Sequence, residues 1–389
     1  MAITLIVNPG SSSKKFAIYK DKELVLDAYV ERLGEGFEMC TAVDGMQQKC
    51  ELLDKKDFGN SLGNFLELAK EGGLITDLSQ ITKVAVRVVA PGTFFQAHKI
   101  VNPEFVTRLK EAERLAPLHI PHVIREIESI NKFLPNVKIV AVSDSAFHST
   151  LPKHVRQYSI LSKDSEEFDI YHFGYHGLSV SSVIKKAKHV SKKNLSKVIV
   201  CHIGSGVSIT ALENGLSIDT TMGYAPGSGL VMGSRAGDLP TGALLALMQS
   251  KNMKVADALI YLQSSGGLFG LAGEADLRIL MDKKARGDQR STQALQSFIY
   301  SIQKAIGGYV AILGGLDTLI FTATASERNS TLRSLIVDGL GGLNIKLNTE
   351  KNEVCLSRDG VISDTDAAVE VLVIKTDEAR EIFEVSESL

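Results

Sequence analysis

The four cysteines of this chain, Cys40, Cys50, Cys201 and Cys355, form no CxxC pair and stand at no Cys/His ligand spacing. The sequence therefore offers neither a zinc site nor a disulfide framework, and all four read as reduced thiols. An excess of either charge is also lacking: 43 Lys and Arg against 45 Asp and Glu leave a net charge of -2. That balance makes no electrostatic case for nucleic acid or an anionic membrane, so small ligands must be recruited locally. No basic leader, apolar run and small-residue cleavage site precedes the first strand, because Met1 leads straight into it. The longest apolar run, 309–325, is broken by Gly314, Gly315 and Asp317, and suits a helix end plus a strand better than a membrane span. A cytoplasmic enzyme is the expectation, and 389 residues give room for two domains with sizeable cores.

What is present is a repeat. Residues 4–7 read as a short apolar strand, Asn8-Pro9-Gly10-Ser11-Ser12-Ser13-Lys14-Lys15 as a polar loop, and 16–19 as a second strand. That loop is either a phosphate cradle, with hydroxyls, backbone N–H groups and the Lys15 ammonium turned to an anion, or an ordinary Ser-rich hairpin. No helix follows it, unlike the Walker arrangement. A third strand over 24–29 completes a meander, then come a helix over 60–70, a buried strand over 83–89, a helix opened by Pro103 and a strand over 137–142. The pattern restarts with a strand at 197–202, the turn Ile203-Gly204-Ser205-Gly206, a strand at 207–212, the hairpin turn Asn214-Gly215 and a strand at 216–220. Helices around 242–249 and 291–306, a strand at 316–322, a helix at 330–340 and a strand at 371–374 follow. Two copies of this order predict an α/β chain of duplicated domains with mixed sheets, whose facing phosphate turns would hold a polyphosphate in a cleft. Two unrelated α/β domains that each carry a tight hairpin are the alternative.

Chemistry-bearing residues cluster at strand ends and glycine-rich loops. Arg87 lies inside an apolar strand and needs an anionic partner, either a structural carboxylate or a substrate carboxylate. Arg235 closes a glycine-rich loop, 223–235, too long for a simple turn. Asp144 follows a strand, where α/β sheets place ligands and a carboxylate often holds Mg²⁺. His176 sits between Gly174 and Gly177, which would let backbone approach a ligand. Glu378 opens the last helix, as a cap or as a second carboxylate near a metal. Two arginines, a histidine, two carboxylates and two phosphate turns, without a nucleophilic Ser or Cys motif, suit direct phosphoryl transfer.

These residues together resemble the acetate kinase family, of the acetate and sugar kinase, chaperone ATPase and actin superfamily. The resemblance runs over almost the whole chain. It rests on Val7 through Phe16, Arg87-Val88-Val89, Leu115-Ala116-Pro117-Leu118-His119, Asp144-Ser145-Ala146-Phe147-His148, Gly174-Tyr175-His176-Gly177, Cys201-His202-Ile203-Gly204-Ser205-Gly206, Met232 through Asp238 and Thr376-Asp377-Glu378. It implies two ribonuclease H-like domains, over 1–148 with 377–389 and over 149–376, and a homodimer that binds neither nucleic acid nor membrane. By resemblance Asp144, His176, Arg235 and Arg87 are catalytic, and Asn8 and Glu378 attend the Mg²⁺, for which Mn²⁺ can substitute. Arg87, Val89, Leu118, Tyr175 and Pro226 take the acetate, Tyr175 standing where the family usually has Phe. Ser11, Ser13, Lys15, His202, Gly204, Ser205 and Gly206 attend the phosphates of ATP or another phosphoryl donor, with His119 nearby. The nucleoside side comprises Asp276, Leu277, Arg278, Ala323, Thr324, Ala325 and Ser326.

The sequence departs from the family most at that last segment. Phe-Thr-Gly-Gly-Ile-Gly-Glu-Asn is the family's pattern, and here Phe321-Thr322-Ala323-Thr324-Ala325-Ser326-Glu327-Arg328 stands instead, so all three glycines have gained side chains. Thr324 and Ser326 would narrow the adenosine pocket, and Ala325 loses apolar cover for adenine. Ser205 replaces an Asn, Ala90-Pro91 replaces His-Gly, Ile120 an Asn and Val180 a His. Four readings follow: an ATP-dependent acetate kinase, a pyrophosphate-dependent one, a propionate kinase, and a non-catalytic nucleotide-binding module. Retention of Arg87, Asp144, His176, Arg235 and Glu378 speaks against the last.

Overall fold

The computed structural model describes residues 2–10, 13–33, 36–43, 48–117 and 119–389, the side chains at 32, 33, 55 and 56 excepted. Ser11 and Leu118 lie outside those residues. The chain divides into two compact units, 1–146 with 378–389, and 147–377.

In the first unit β1 (Ile3–Pro9) is buried along its length. It runs between antiparallel β2 (Ser13–Lys20) and parallel β6 (Ile81–Val88), and a strand covered on both faces needs the continuous apolar run seen at 4–7. The meander is longer than its sequence suggests. After β3 (Glu23–Leu33) come β4 (Gly36–Val43) and β5 (Lys49–Leu53), and with β7 (Lys99–Ile100) and β8 (Lys138–Ser143) they complete the sheet order β5-β4-β3-β2-β1-β6-β8-β7. Helices Ser61–Glu71, Pro103–Ala112 and Ile120–Phe133 cover it and supply Phe65, Leu109 and Ile127 to one core with Leu5, Val7 and Phe16. The Pro103 helix begins as its sequence indicates, with the Asn102 side chain accepting from Phe105 N and proline in the first turn.

One expectation fails here. Cys40 and Cys50 are disulfide-bonded, leaving Cys201 and Cys355 as buried free thiols. The reason is register: β4 pairs antiparallel with β5 so that Cys40 faces Cys50 directly, with 4.0 Å between their Cα atoms. A ten-residue spacing reveals this only once both strands are recognised.

The last helix, Glu378–Glu387, returns to this unit and packs against β1, β6 and β8. Ile382 and Phe383 are buried, and Phe383 stacks on Tyr19 at 4.3 Å. Lys83 Nζ donates to Ser386 O and Lys138 Nζ to Leu389 O, each at 2.8 Å.

The second unit repeats the sheet. Its strands β9 (Lys197–Ile203), β10 (Val207–Glu213), β11 (Leu216–Thr220), β12 (Thr318–Thr322), β13 (Gly360–Val361) and β14 (Glu370–Val373) are ordered β11-β10-β9-β12-β14-β13. The run β11-β10-β9-β12-β14 matches β3-β2-β1-β6-β8 strand for strand, with antiparallel meander and parallel pairs in the same places. Asn214 and Gly215 form the β10–β11 turn at φ 50° and 82°, the positive values that this hairpin requires. Helix Gly177–Val190 packs Val180, Val183 and Ile184 against Val198, Val200, Ile320 and Leu372. Among the described residues no helix is long and apolar enough to cross a membrane.

Candidate active site

In the first unit the ends of three parallel-paired strands and the start of the last helix converge on Arg87. Its Nε and Nη2 donate to the two oxygens of Asp144 at 3.3 and 3.1 Å, a bidentate pair just beyond β8. Its Nη1 donates to Asn8 Oδ1 at 3.2 Å and to Glu378 Oε2 at 3.3 Å, and Asn8 Nδ2 donates to Glu378 Oε2 at 2.7 Å. Asp144 and Asn8 are buried. Burial works against the Arg87 charge, but Asp144 and Glu378 outweigh it and raise the guanidinium pKa. Asp144, Glu378 and Asn8 thus gather hard oxygen donors around Arg87, a set of the kind that suits a divalent magnesium-type cation. The half-buried Arg87 thus has structural carboxylate partners.

Of the two lysines in the opening loop, Lys14 is buried and Lys15 is exposed. Lys14 Nζ pairs with Glu126 at 2.6 Å and donates to Phe58 O, so it ties the hairpin to helix Ile120–Phe133. Gly10 N donates to Ser13 O across the turn. His98 Nδ1 accepts from Ser143 N at 3.1 Å, one residue before Asp144, and burial lowers the His98 pKa.

In the second unit His176 precedes helix Gly177–Val190 with φ 62°. Its ring stacks on His202 at 3.9 Å, and its Nδ1 lies 2.9 Å from Ser208 Oγ. His202 Nδ1 in turn lies 2.8 Å from Ser179 Oγ. A methyl group at Gly206 would fall 3.0 Å from His176 Nε2 and 3.4 Å from Arg235 Nη1, so the bare glycine lets the turn meet both. Arg235 is buried and donates from Nη1 to Pro226 O at 3.0 Å, with no carboxylate partner among the described residues. Burial alone lowers its pKa to about 10. A buried guanidinium without a counter-ion is a receptor for an anion.

The loop that carries Arg235 is held by backbone N–H donors: Gly229 N donates to Asp238 Oδ1, Ala236 N to Leu262 O, Gly266 N to Ser234 O and Leu268 N to Met232 O. Tyr175 is buried and its hydroxyl donates to Tyr224 O, two residues before Pro226, so Tyr175, Pro226, Arg235, His176 and Gly206 share one region. Gly174 admits a side chain rather than a ligand. At φ 82° its Cα abuts the His148 ring, which spans from Ser217 Oγ to Tyr175 O. Val89 is buried in the first unit beside Arg87.

The segment after β12 is shaped by Glu327, whose Oε1 accepts from Ala323 N at 2.8 Å, Thr376 N at 3.1 Å and Thr322 Oγ1 at 3.3 Å. Ala323 stands at φ 69°, ψ 160°, a conformation that only glycine enters freely. Its methyl lies 3.5 Å from where a Gly204 side chain would begin. Ser326 does not crowd a pocket: it is buried and its hydroxyl donates to Thr322 O, because the helical turn Thr324–Arg328 points it into the unit. Thr324 is exposed. Behind this turn the buried Arg333 donates to Glu327 O, Asn352 Oδ1 and Cys355 O. Arg278 and Asp276 form an exposed ion pair, and that pairing lowers the Asp276 pKa.

With this geometry in view, the acetokinase family model matches residues 3–384. The chain belongs to the acetokinase family. The acetate kinase of Thermoanaerobacterium thermosaccharolyticum is 34% identical over 99% of both chains, and that of Dictyoglomus thermophilum is 36% identical over 96% of both. Among solved structures, Porphyromonas gingivalis acetate kinase superposes with a TM-score of 0.85 at 29% identity, covering 100% of this chain and 99% of its own. A propionate kinase from Francisella tularensis gives 0.89 at 28%, with both chains covered completely. The α/β fold with two mixed sheets is thus the fold of this family of phosphotransferases.

Several residues around these sites escape a reading of the sequence. Ser208 was within reach of arithmetic, because a hairpin centred on Ser205 sets it opposite His202, as the register of β9 and β10 shows. Ser179 lies one helical turn beyond His176, a spacing legible once the helix is placed. Lys14–Glu126 and the Glu327 hub join distant parts of the chain, and no local pattern announces them.

Proposed function

We propose that this chain is a reversible acetate kinase that moves the γ-phosphoryl group of ATP onto acetate in line, with Mg²⁺, giving acetyl phosphate and ADP. The observation that carries the reading is Arg235, a buried cation with no carboxylate partner among the described residues, beside His176 and the Gly204–Gly206 turn. The bond from phosphorus to the ADP oxygen breaks as a bond to an acetate oxygen forms. Acetate is already a carboxylate, so no proton need leave the nucleophile. That accords with an Asp144 held bidentate by Arg87 and with the lack of a nucleophile-and-base motif.

Arg235 would neutralise charge on the phosphoryl group in flight and His176 would donate to one of its oxygens. Asn8, Asp144 and Glu378 are the oxygen donors that would hold Mg²⁺, either directly or through its water. Bound there, the ion would offset negative charge on the phosphates. Arg87 fixes those donors. Lys15, Ser13, His202, Gly204, Ser205 and Gly206 would attend the donor phosphates, and Tyr175, Pro226 and Val89 the acetate methyl. A second reading, a donor other than ATP, is favoured by Ala323 and the exposed Thr324 at the nucleoside side.

Trapping the product as its hydroxamate, with ATP, GTP and pyrophosphate as donors and acetate and propionate as acids, tests both. Acyl phosphate from ATP and acetate is the expected result, and none from any donor would remove the reading. Homodimerisation belongs to the same reading: helix Thr241–Lys251 buries no residue within its unit, and Leu239, Leu245, Val255, Ile260 and Phe269 are exposed nearby. Sedimentation of Leu245→Glu should show a monomer where the parent is a dimer. A cytoplasmic setting is proposed too. The Cys40–Cys50 bond runs against it, and counting free thiols on freshly released protein decides between two and four.

A further inference from the structure

Ser208 belongs to no phosphate, metal or acid-binding set, yet it is fully buried in β10 with its hydroxyl on His176 Nδ1. It also faces His202 across the β9–β10 pair. The His176 ring is therefore fixed twice. Stacking on His202, at an interplanar angle of 19°, sets the plane of the ring, and the Ser208 bond sets its rotation within that plane. What remains is one direction for Nε2, toward Gly206 and Arg235. Ser179, also fully buried, holds the His202 ring in the same way, so Ser179, His202, His176 and Ser208 form one closed support.

We infer that Ser208 is a positioning residue for the phosphoryl transfer: its hydroxyl donates to His176 Nδ1 and so holds the proton of the neutral imidazole on Nε2. The chemistry favours a hydroxyl in this place. A carboxylate at Nδ1 can only accept, which would put the proton on Nδ1 or charge the ring. Serine can donate, leaving Nε2–H as the donor to an anion at Arg235. The groups around the ring point the same way. Arg235 is a buried cation on the Nε2 side, and the N-terminal end of helix Gly177–Val190 carries positive partial charge. Each disfavours a second positive charge on His176, as a helix N-terminus does for the neutral histidine electrophile of triosephosphate isomerase.

The inference rests on the acetate kinase reading for its kinetic consequence and on the geometry alone for its spectroscopic one. The experiment compares the full-length protein with its Ser208→Ala, Ser208→Thr and His176→Gln variants. Nitrogen-15 spectra of histidine-labelled protein, with the His176 signals assigned by their loss in His176→Gln, should show protonated Nε2 and unprotonated Nδ1 in the parent. Ser208→Ala should lower kcat by about tenfold to a hundredfold, the scale of a misaimed group, with KM for acetate changed less than about threefold. Ser208→Thr keeps the hydroxyl and should restore most of the rate. A proton on Nδ1 in the parent, full turnover in Ser208→Ala, or a Ser208→Thr variant as slow as Ser208→Ala would each overturn the inference. If Ser208→Ala does not fold, the parent spectrum and Ser208→Thr still decide. A parent that makes no acyl phosphate but shows the Nε2 tautomer would sink the functional reading and leave the Ser208 geometry standing.

Discussion

Replacing Ala323 by glycine should stabilise this protein, against the usual sign of such a change. At φ 69°, ψ 160° an alanine Cβ is crowded by its own backbone. Residues held there are strained by about 1–3 kcal/mol. The milder left-handed helical region already costs an L-residue about 1–2 kcal/mol, which puts Ala323 in the upper part of that range, about 2–3 kcal/mol. Two terms oppose the gain. Glycine's freedom in the unfolded chain costs about 0.4–1 kcal/mol. Losing a methyl that is 5% exposed costs at most about 0.8 kcal/mol. With the full methyl term the balance is about 0.2–1.8 kcal/mol in favour of glycine, a rise in Tm of up to about 7 °C for a domain of this size. Urea unfolding of both proteins, read as a shift in midpoint at constant slope, is the assay. Ala294→Gly in helix Gln289–Leu313 is the control and should lose about 1–2 kcal/mol, since Ala294 is buried in ordinary helical backbone. If Ala323→Gly loses as much as the control, the strain does not exist and the reasoning fails.

Lys14→Met should cost about 3–5 kcal/mol by leaving Glu126 buried without its cation, while Lys14→Met combined with Glu126→Leu recovers most of that loss in urea titrations. Arg235→Met should abolish turnover while raising stability by about 0.5–2 kcal/mol, because it removes an uncompensated buried charge; a drop in both would argue for a structural arginine. Burial holds the folded-state pKa of His98 below its unfolded value of 6.5, so its contribution is complete above about 6.5 and is lost as pH falls through that value toward the lower one. His98→Gln, which can still accept from Ser143 N, should therefore lose less stability than the parent between about pH 7.5 and about pH 5.5, as followed by thermal melts.

Period-two and apolar runs made β1, β6, β8, β9, β10 and β12 legible, and the repeated order of strands and turns carried the fold before any side chain was placed. The strands at 36–43 and 49–53 were not legible, since neither holds a sustained period of two or a long apolar run. That gap hid the Cys40–Cys50 pairing as well. Arg87, Asp144 and Glu378 could be singled out because charge is costly at strand ends in an apolar sheet. What held them could not, since Asn8, Asp144 and Glu378 come from the two ends and the middle of the chain. The substituted glycines at 323–326 misled in one respect: Ser326 looked like an intruder in a pocket, but its hydroxyl is satisfied by the Thr322 carbonyl one helical turn back. Side-chain direction on a single turn of helix does not follow from identity alone.

The return of 378–389 to the first unit has a consequence for synthesis. Domains usually fold in the order in which they leave the ribosome. Here the first unit lacks Ile382 and Phe383 from its core, the carbonyls that Lys83 and Lys138 bind, and the Glu378 beside Arg87 until the final residues emerge. The unit translated first is therefore the last to be completed, and it waits with the faces of β1, β6 and β8 open while the whole of 147–377 is made. A chain cut before Glu378 keeps every residue of its second unit and cannot complete its first.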